Sequence, residues 1–408
     1  MQSDGIMISG LGAMCAAGMD VAACMEGLYA GRRNVAPPKR IQADLGRTPP
    51  VFELAQVPEI PYRKSNPWIE KAPDGLLEDA TLTSRMALTA TMEALANSGI
   101  DPATLRGKRV GIAVGTTVGC TLNNEDFYRA WRDGAFPEIS PVRRFLSNNP
   151  ALFLGRILGL RGPVATVANA CSSGADAIGL ARSWLRSGMC DVALAGGADE
   201  LSRVTYLGFA SLMITSDEPC RPFDRRRTGL NLGEGAGMVV LEKERDLETR
   251  GGKALAQLAG YASYADAHHP TAPHPEGRGL RRAIEKVLSD AGIGPDQVGF
   301  CNAHGTSTPD NDKVEGKVLA DLFAPSLPVV STKACTGHTL GAAGGIEAVF
   351  AARGLIEGRL PANHGFEEAD PDCGIEPLRE NREIDARYAI SNSLAFGGNN
   401  SVLLLERA

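Results

Sequence analysis

The chain has 408 residues, a net charge of −6, 43% apolar but only 5% aromatic residues, and 47 glycines. That length predicts two core units or a large duplicated fold, and the acidic balance without a long basic run argues against non-specific nucleic-acid binding. No apolar run long enough for a membrane span is found, and residues 1–12 lack the charged-then-apolar layout of a signal peptide.

In chain order, residues 36–73 are rich in Pro and charge and poorly periodic, which predicts an irregular surface insertion. Residues 86–98 read as a helix and 110–114 as a short buried strand. Residues 164–181 read as a strand, a small-residue turn and an Ala/Gly-rich helix covering 172–187. Further strands are expected at 192–195 and 238–241, the latter preceded by Gly233-Glu-Gly-Ala-Gly237, which marks tight packing. Charge-rich 242–253 reads as a connector, and 280–291 as a helix. Residues 329–352 then repeat the strand, turn and small-residue helix of 164–181, so a diverged duplication is expected, with halves at 1–245 and 246–408. Strands at 388–390 and 402–405 close the chain. The alternation predicts an α/β fold with largely buried sheets.

Nine cysteines stand at 15, 24, 120, 171, 190, 220, 301, 335 and 373. Their odd number and the lack of a CxxC pair argue against a disulfide framework or structural zinc, and for a reducing cytoplasm. Most are expected to act as small buried hydrophobes. Cys171 differs by position. It lies between an extended apolar run and Ser172-Ser173-Gly174, at the start of a helix. The positive end of a helix dipole favours thiolate, and its free N–H groups can hold an oxyanion. A Cys filling a small space beside the helix is the competing reading.

Two of six histidines sit in similar frames. His304 follows an apolar stretch and precedes turn formers, so it is expected to top a strand. His338 lies in a small-residue turn that opens a helix. A helix N-terminus disfavours imidazolium, so a histidine there stays neutral and can donate a hydrogen bond to a developing enolate. Lys333 in the same apolar segment needs an anionic partner, for which Glu315 and Asp312 are the candidates. Neither histidine has a second ligand three or four residues on, which argues against zinc. Near the C-terminus, Gly397 and Gly398 permit unusual backbone angles, either in a hairpin turn or beside a ligand. No GxGxxG opens a helix after a first strand, and Gly233–Gly237 carries no lysine for a phosphate loop.

With these motifs in order, the chain resembles the β-ketoacyl-acyl-carrier-protein synthases of the thiolase superfamily, chiefly the elongating type, from Met7 to Glu406. The resemblance implies a five-layer α-β-α-β-α fold from two duplicated halves, usually a homodimer. It implies that Cys171 in A-C-S-S-G is the nucleophile, that His304 belongs to H-G-T-x-T-P and that Lys333 and His338 belong to K-x-x-x-G-H. Thr306 and Thr308 fall within the second of these motifs. Asp312 and Glu315 match acidic residues near the lysine, and Glu347 matches the glutamate of G-A-A-G-x-x-E. Phe396 of F-G-G-x-N, followed by Gly397 and Gly398, is implied as a gate whose N–H joins that of Cys171 in an oxyanion hole. Arg221 is a candidate contact for an acidic acyl carrier protein, a solvated loop arginine being the alternative. The implied reaction is decarboxylative condensation of an acyl thioester with malonyl-carrier protein, without redox cofactor or catalytic metal.

Ala395 stands where the family usually has Gly, Asn399 where Thr is common, and Asn169 is unusual two residues before the nucleophile. Together they keep open a specialised ketosynthase of a polyketide or polyene pathway, alone or with a related partner subunit. A non-catalytic chain-length subunit would lack the nucleophile. A thiolase would need a second cysteine near the glycine loop, and a type III enzyme an Asn in place of His338. A carrier-binding scaffold would bind carrier without acylating Cys171.

Overall fold

The computed structural model describes residues 4–42, 46–56, 59, 66–78, 80–118, 124–147 and 149–408. The first half supplies strands Ile6–Cys15 (β1), Val110–Gly115 (β2), Val164–Val167 (β3), Val192–Asp199 (β4) and Gly235–Lys243 (β5). The second half supplies Ala256–Ala265 (β6), Val298–Asn302 (β7), Val329–Val330 (β8), the short ribbon Arg359–Leu360 (β9) and Arg382–Glu383 (β10), Tyr388–Ala395 (β11) and Asn399–Arg407 (β12). Helices of the first half are Val21–Tyr29 (α1), Leu82–Ser98 (α2), Pro102–Arg106 (α3), Glu125–Arg132 (α4), Ser140–Ser147 (α5), Pro150–Leu158 (α6), Ser173–Arg186 (α7), Arg203–Ser211 (α8) and Glu244–Thr249 (α9). Those of the second are Arg278–Ala291 (α10), Pro309–Leu322 (α11), Lys333–Thr336 (α12) and Ala343–Glu357 (α13).

The large sheet runs β3-β2-β4-β5-β1-β6-β12-β11-β7-β8. Read from its two edges inward, both halves repeat one plan. β2 lies parallel between β3 and β4 as β7 lies parallel between β8 and β11. An antiparallel pair follows in each, β4 with β5 and β11 with β12. The halves join where β1 meets β6, through Met7 opposite Gln257 and Ile8 opposite Ala256. β2, β4 and nearly all of β5 are buried along their length, which is why their central residues read as apolar runs. β3 lies at an edge and alternates exposed with half-buried residues.

Helices α7 and α13 pack on each other and against strands of both halves, while α2 and α6 cover the outer face of one half and α10 that of the other. This is the helix-sheet-helix-sheet-helix stack expected from the duplication. The small residues at the starts of α7 and α13 allow the central contact. A Cβ on Gly174 would fall 2.7 Å from the backbone N of Gly345, and one on Gly237 2.2 Å from that of Ile346. Farther along, α13 buries Ile346, Val349, Phe350 and Leu355. Each such side chain contributes about 1.5–3 kcal/mol relative to exposure.

Two expectations change. Residues 242–253 are not a bare connector: β5 runs to Lys243, α9 follows, and buried Glu242 binds Arg250 at 2.6 Å. The insertion at 36–73, of which 43–45, 57, 58 and 60–65 lie outside the described residues, is not merely superficial. Ile41, Val51, Phe52, Ile69 and Ala72 are buried, so its scattered apolar residues anchor it to the core. Eight of the nine cysteines are buried free thiols; Cys120 lies outside the described residues. Among the described residues no helix is long and apolar enough to cross a membrane.

Candidate active site

Cys171 sits two residues before α7, on a sharp turn between β3 and the helix. Ala170, just before it, has φ of +49°, a left-handed conformation that costs a non-glycine residue energy and persists only when its surroundings impose it. The following serines impose it. Ser173 Oγ donates to Ala170 O at 2.6 Å and accepts the Asn169 N–H at 2.8 Å, while Ser172 Oγ donates to Asn169 O at 2.9 Å. Asn169 Nδ2 and Ser172 Oγ also donate to Asp176 Oδ2, at 2.5 and 2.8 Å.

The thiol does not have the lowered pKa expected of a helix N-terminus. Burial pushes it up to about 12; Lys333 and the Phe396 N–H pull it down, and buried Asp199 pushes it up. The dipole cannot offset complete desolvation in the closed site. His338 Nε2 lies 3.0 Å from Cys171 Sγ. The His304 and His338 rings stand edge to face, centroids 5.2 Å apart. His304 follows β7 by two residues, and His338 lies between α12 and α13. Both imidazoles are held well below the ordinary histidine range, first by burial and then by the Lys333 charge. Neutrality at these positions therefore comes from desolvation and a cation, not from a helix end.

Lys333 corrects another expectation. Its ammonium pairs with Glu347, not with Glu315 or Asp312, and also donates to His304 O at 2.6 Å and approaches His304 Nδ1 at 3.3 Å. Burial lifts the Glu347 carboxyl to about 7 against the pull of Lys333. Glu315 instead holds the turn that carries His304, accepting the N–H groups of His304 and Gly305 at 2.8 Å each and Asn392 Nδ2 at 3.0 Å. Asp312 accepts the Ser307 N–H at 3.1 Å and the Phe223 N–H at 2.7 Å, fixing the next turn, where Ser307 has φ of +71°. Thr306 and Thr308, their hydroxyls 2.9 Å apart, line the same cavity as the histidines.

Residues 396–398 form the tip of the β11–β12 hairpin, with Ala395 opposite Asn399. Gly397 and Gly398 have φ of +83° and +76°, and Asn399 Nδ2 caps the turn on Phe396 O at 3.2 Å. The hairpin-turn reading holds, and Phe396 at the tip overlies Cys171. It docks on a neighbouring segment through Gly397 N–H to Pro270 O and Asp266 N–H to Gly398 O, each at 2.7 Å, and Asn400 Nδ2 reaches Asp266 Oδ1 at 3.0 Å. Cys171, His304, His338, Thr306, Thr308 and Phe396 share one cavity of about 290 Å³.

Three features escaped the sequence reading. Phe209 on α8 stacks on Phe396, centroids 5.3 Å apart, and closes the cavity beside His338. Nothing local marks it. Asp199 accepts from Thr116 Oγ1, Thr117 N–H and Gly341 N–H at 2.9, 2.8 and 2.9 Å, bracing the turn after His338. A carboxylate ending an apolar strand was the available signal. Asp266 and Asn400 latch the hairpin tip, and only the second Asn of the Asn399-Asn400 pair hinted at it. Arg221 lies away from the cavity lining. Its guanidinium pairs with Glu367 at 3.2 Å and its N–H donates to Ser307 Oγ at 2.8 Å. Among the described residues no group of three or more His, Cys, Asp or Glu is placed to hold a metal ion.

A thiolase-like five-layer fold whose central turn presents one cysteine to two neutral histidines defines a condensing enzyme of the thiolase superfamily. The chain belongs to the β-ketoacyl synthases: residues 3–246 match the Beta-ketoacyl synthase N-terminal domain and residues 255–367 the C-terminal domain. It is an acyltransferase of that family. It is 32% identical over 421 residues to 3-oxoacyl-[acyl-carrier-protein] synthase 2 of Staphylococcus aureus, covering 100% of this chain and 99% of the relative. Among solved structures it is similar to the ishigamide ketosynthase/chain length factor, with TM-score 0.91, 30% identity and both chains fully covered. It is also similar to the ketosynthase ApeO in complex with its chain length factor ApeC from Xenorhabdus doucetiae. There the TM-score is 0.83 and the identity 32%, over 100% of this chain and 99% of the other.

Proposed function

We propose that this chain is a 3-oxoacyl-[acyl-carrier-protein] synthase working through acyl-Cys171. The carrying observation is the 3.0 Å approach of His338 Nε2 to Cys171 Sγ in a cavity shared with His304 and roofed by Phe396. Cys171 attacks the acyl thioester on the phosphopantetheine arm of an acyl carrier protein. The C–S bond of the donor breaks, and the thiol proton ends on the departing pantetheine sulfur. Malonyl-carrier protein follows. Its C–C bond to the carboxylate breaks, CO2 leaves, and the electron pair passes into an enolate. His304, its Nδ1 beside Lys333, turns its Nε2–H toward the thioester oxygen, and His338 donates alongside. The enolate attacks the acyl carbon, the N–H groups of Cys171 and Phe396 hold the tetrahedral oxyanion, and Cys171 is expelled as the 3-oxoacyl product forms. No net oxidation occurs, so these bond changes call for no redox cofactor, and carbonyl polarisation is supplied by the histidines rather than a metal.

The family resemblance supports a cytoplasmic enzyme acting as a homodimer, in fatty acid biosynthesis. A second reading, a specialised ketosynthase of a polyketide or aryl-polyene pathway paired with a non-catalytic subunit, is favoured by Asn169, Ala395 and Asn399. Likeness to the ishigamide and ApeO ketosynthases, whose names include a chain length factor, points the same way. For the carrier protein, Arg221 is the candidate contact, in competition with Glu367.

Mass spectrometry of the intact protein incubated with acyl-carrier proteins of graded length tests this. An adduct on Cys171 is expected. Adducts across saturated chains favour the fatty acid reading, and adducts with only one unsaturated or polyketide chain class the second. No adduct with any donor would sink the enzyme reading.

A further inference from the structure

Two cysteines outside the catalytic cavity are in van der Waals contact. Cys15 ends β1 and Cys24 lies in the first turns of α1, with sulfurs 3.6 Å apart. The Cys24 thiol also donates to Gly18 O at 3.2 Å, and Cys15 and Gly18 exchange backbone hydrogen bonds at 2.9 and 3.1 Å. The loop between the two thiols is therefore folded back on itself. Cys15 is 1% and Cys24 0% exposed, and neither lines the cavity of Cys171. To bond, the sulfurs must close from 3.6 Å to about 2.05 Å.

We propose that Cys15 and Cys24 form a reversible dithiol–disulfide site, oxidised by small hydroperoxides and separate from the catalytic thiol. Cys15 sulfur attacks one peroxide oxygen, the O–O bond breaks, and Cys15 becomes a sulfenic acid with release of water from hydrogen peroxide. Cys24 sulfur then attacks the sulfenic sulfur, the S–O bond breaks, and a second water leaves with the Cys24 proton. Two thiols lose two electrons, and one peroxide is reduced to two waters. A small dithiol reverses the step by exchange. The backbone assigns the roles. The Cys24 thiol keeps its proton on Gly18 O, so Cys15 is the first nucleophile and Cys24 the resolving thiol. One layer in, Gly235 is paired with Cys15 and abuts Ile346, the neighbour of Glu347, so the pair backs the element that carries the Lys333 partner.

Folded full-length protein is treated with hydrogen peroxide, quenched, unfolded in iodoacetamide and digested with trypsin. No Lys or Arg separates Cys15 from Cys24, so both leave on one peptide ending at Arg32. That peptide should be unalkylated and about 2 Da lighter, and dithiothreitol should restore two alkylations. Cys301, equally buried, serves as the control and should stay a free thiol. In Cys24→Ser, dimedone should trap a sulfenic acid on Cys15. Full alkylation of Cys15 and Cys24 at a peroxide dose that has oxidised Cys171 would overturn the proposal. So would a bond from either residue to another cysteine.

Discussion

Lys333 Nζ lies 3.3 Å from His304 Nδ1 while paired with buried Glu347, so one cation both selects the tautomer of His304 and holds it neutral. In Lys333→Met, His304 keeps its place but loses that constraint. Condensation should fall about 10²–10³-fold, the scale of a lost proton donor, and acylation of Cys171 less than tenfold. Product formation and intact mass of the acyl-enzyme separate the two; equal losses would contradict the roles. Glu347 left unpaired should destabilise the fold by about 3–5 kcal/mol, and adding Glu347→Leu should recover part of it in urea unfolding.

The raised Cys171 thiol makes a kinetic prediction. With a pKa near about 12, the thiolate fraction at neutral pH is small. Iodoacetamide alkylation of Cys171 should rise roughly tenfold per pH unit from about pH 7 to pH 10. A plateau near pH 7 would mean a thiolate already formed in the resting enzyme.

Ala395 ends β11 with an ordinary strand conformation opposite Asn399, so its methyl group strains nothing in the closed hairpin. Ala395→Gly should lower stability by about 0.5–1 kcal/mol through added chain entropy. Gly397→Ala, at φ of +83°, should cost more than that and slow acylation as well. Urea midpoints and acylation rates of the two variants check this, and a more stable Ala395→Gly would show that the methyl group is strained.

Glu200 is 2% exposed, with Oε1 buried and without a hydrogen-bond partner among the described residues. Burial, then Glu234 and Asp199, push its carboxyl up to about 8 from an ordinary 4.5. Between these values the folded state binds more protons than the unfolded one, so this group lowers stability as pH rises through that window. Glu200→Gln should therefore stabilise at pH 8 by on the order of 1 kcal/mol or more, and little at pH 4.5. Urea titrations at the two pH values measure the difference; an equal effect at both would refute the shift.

Much of the site was legible locally. Cys171, His304 and His338 each stand in a small-residue turn, and such turns carry their chemistry in adjacent residues: Ser172 and Ser173, one and two positions beyond Cys171, donate to Asn169 O and Ala170 O. The strand runs at β2, β4 and β5 were legible because strands buried on both faces are apolar over most of their length. The Lys333 partner was not. Glu315 and Asp312 lie on α11 and turn toward backbone N–H groups, whereas Glu347 is returned to Lys333 by the first turns of α13. Nor could a reading of helix ends foresee that desolvation outweighs the dipole at Cys171.

Sequence by itself singled out Cys171, the two histidines, the glycine hairpin and the duplicated α/β plan, because each is written in residues adjacent in the chain. Only the tertiary structure decided that Glu347 neutralises Lys333, that Phe209 stacks on Phe396, that Asp199 braces the His338 turn and that Cys15 meets Cys24. Those contacts join separate elements, and the packing of α7 and α13 between the two half-sheets sets both their distances and the burial that shifts their charges.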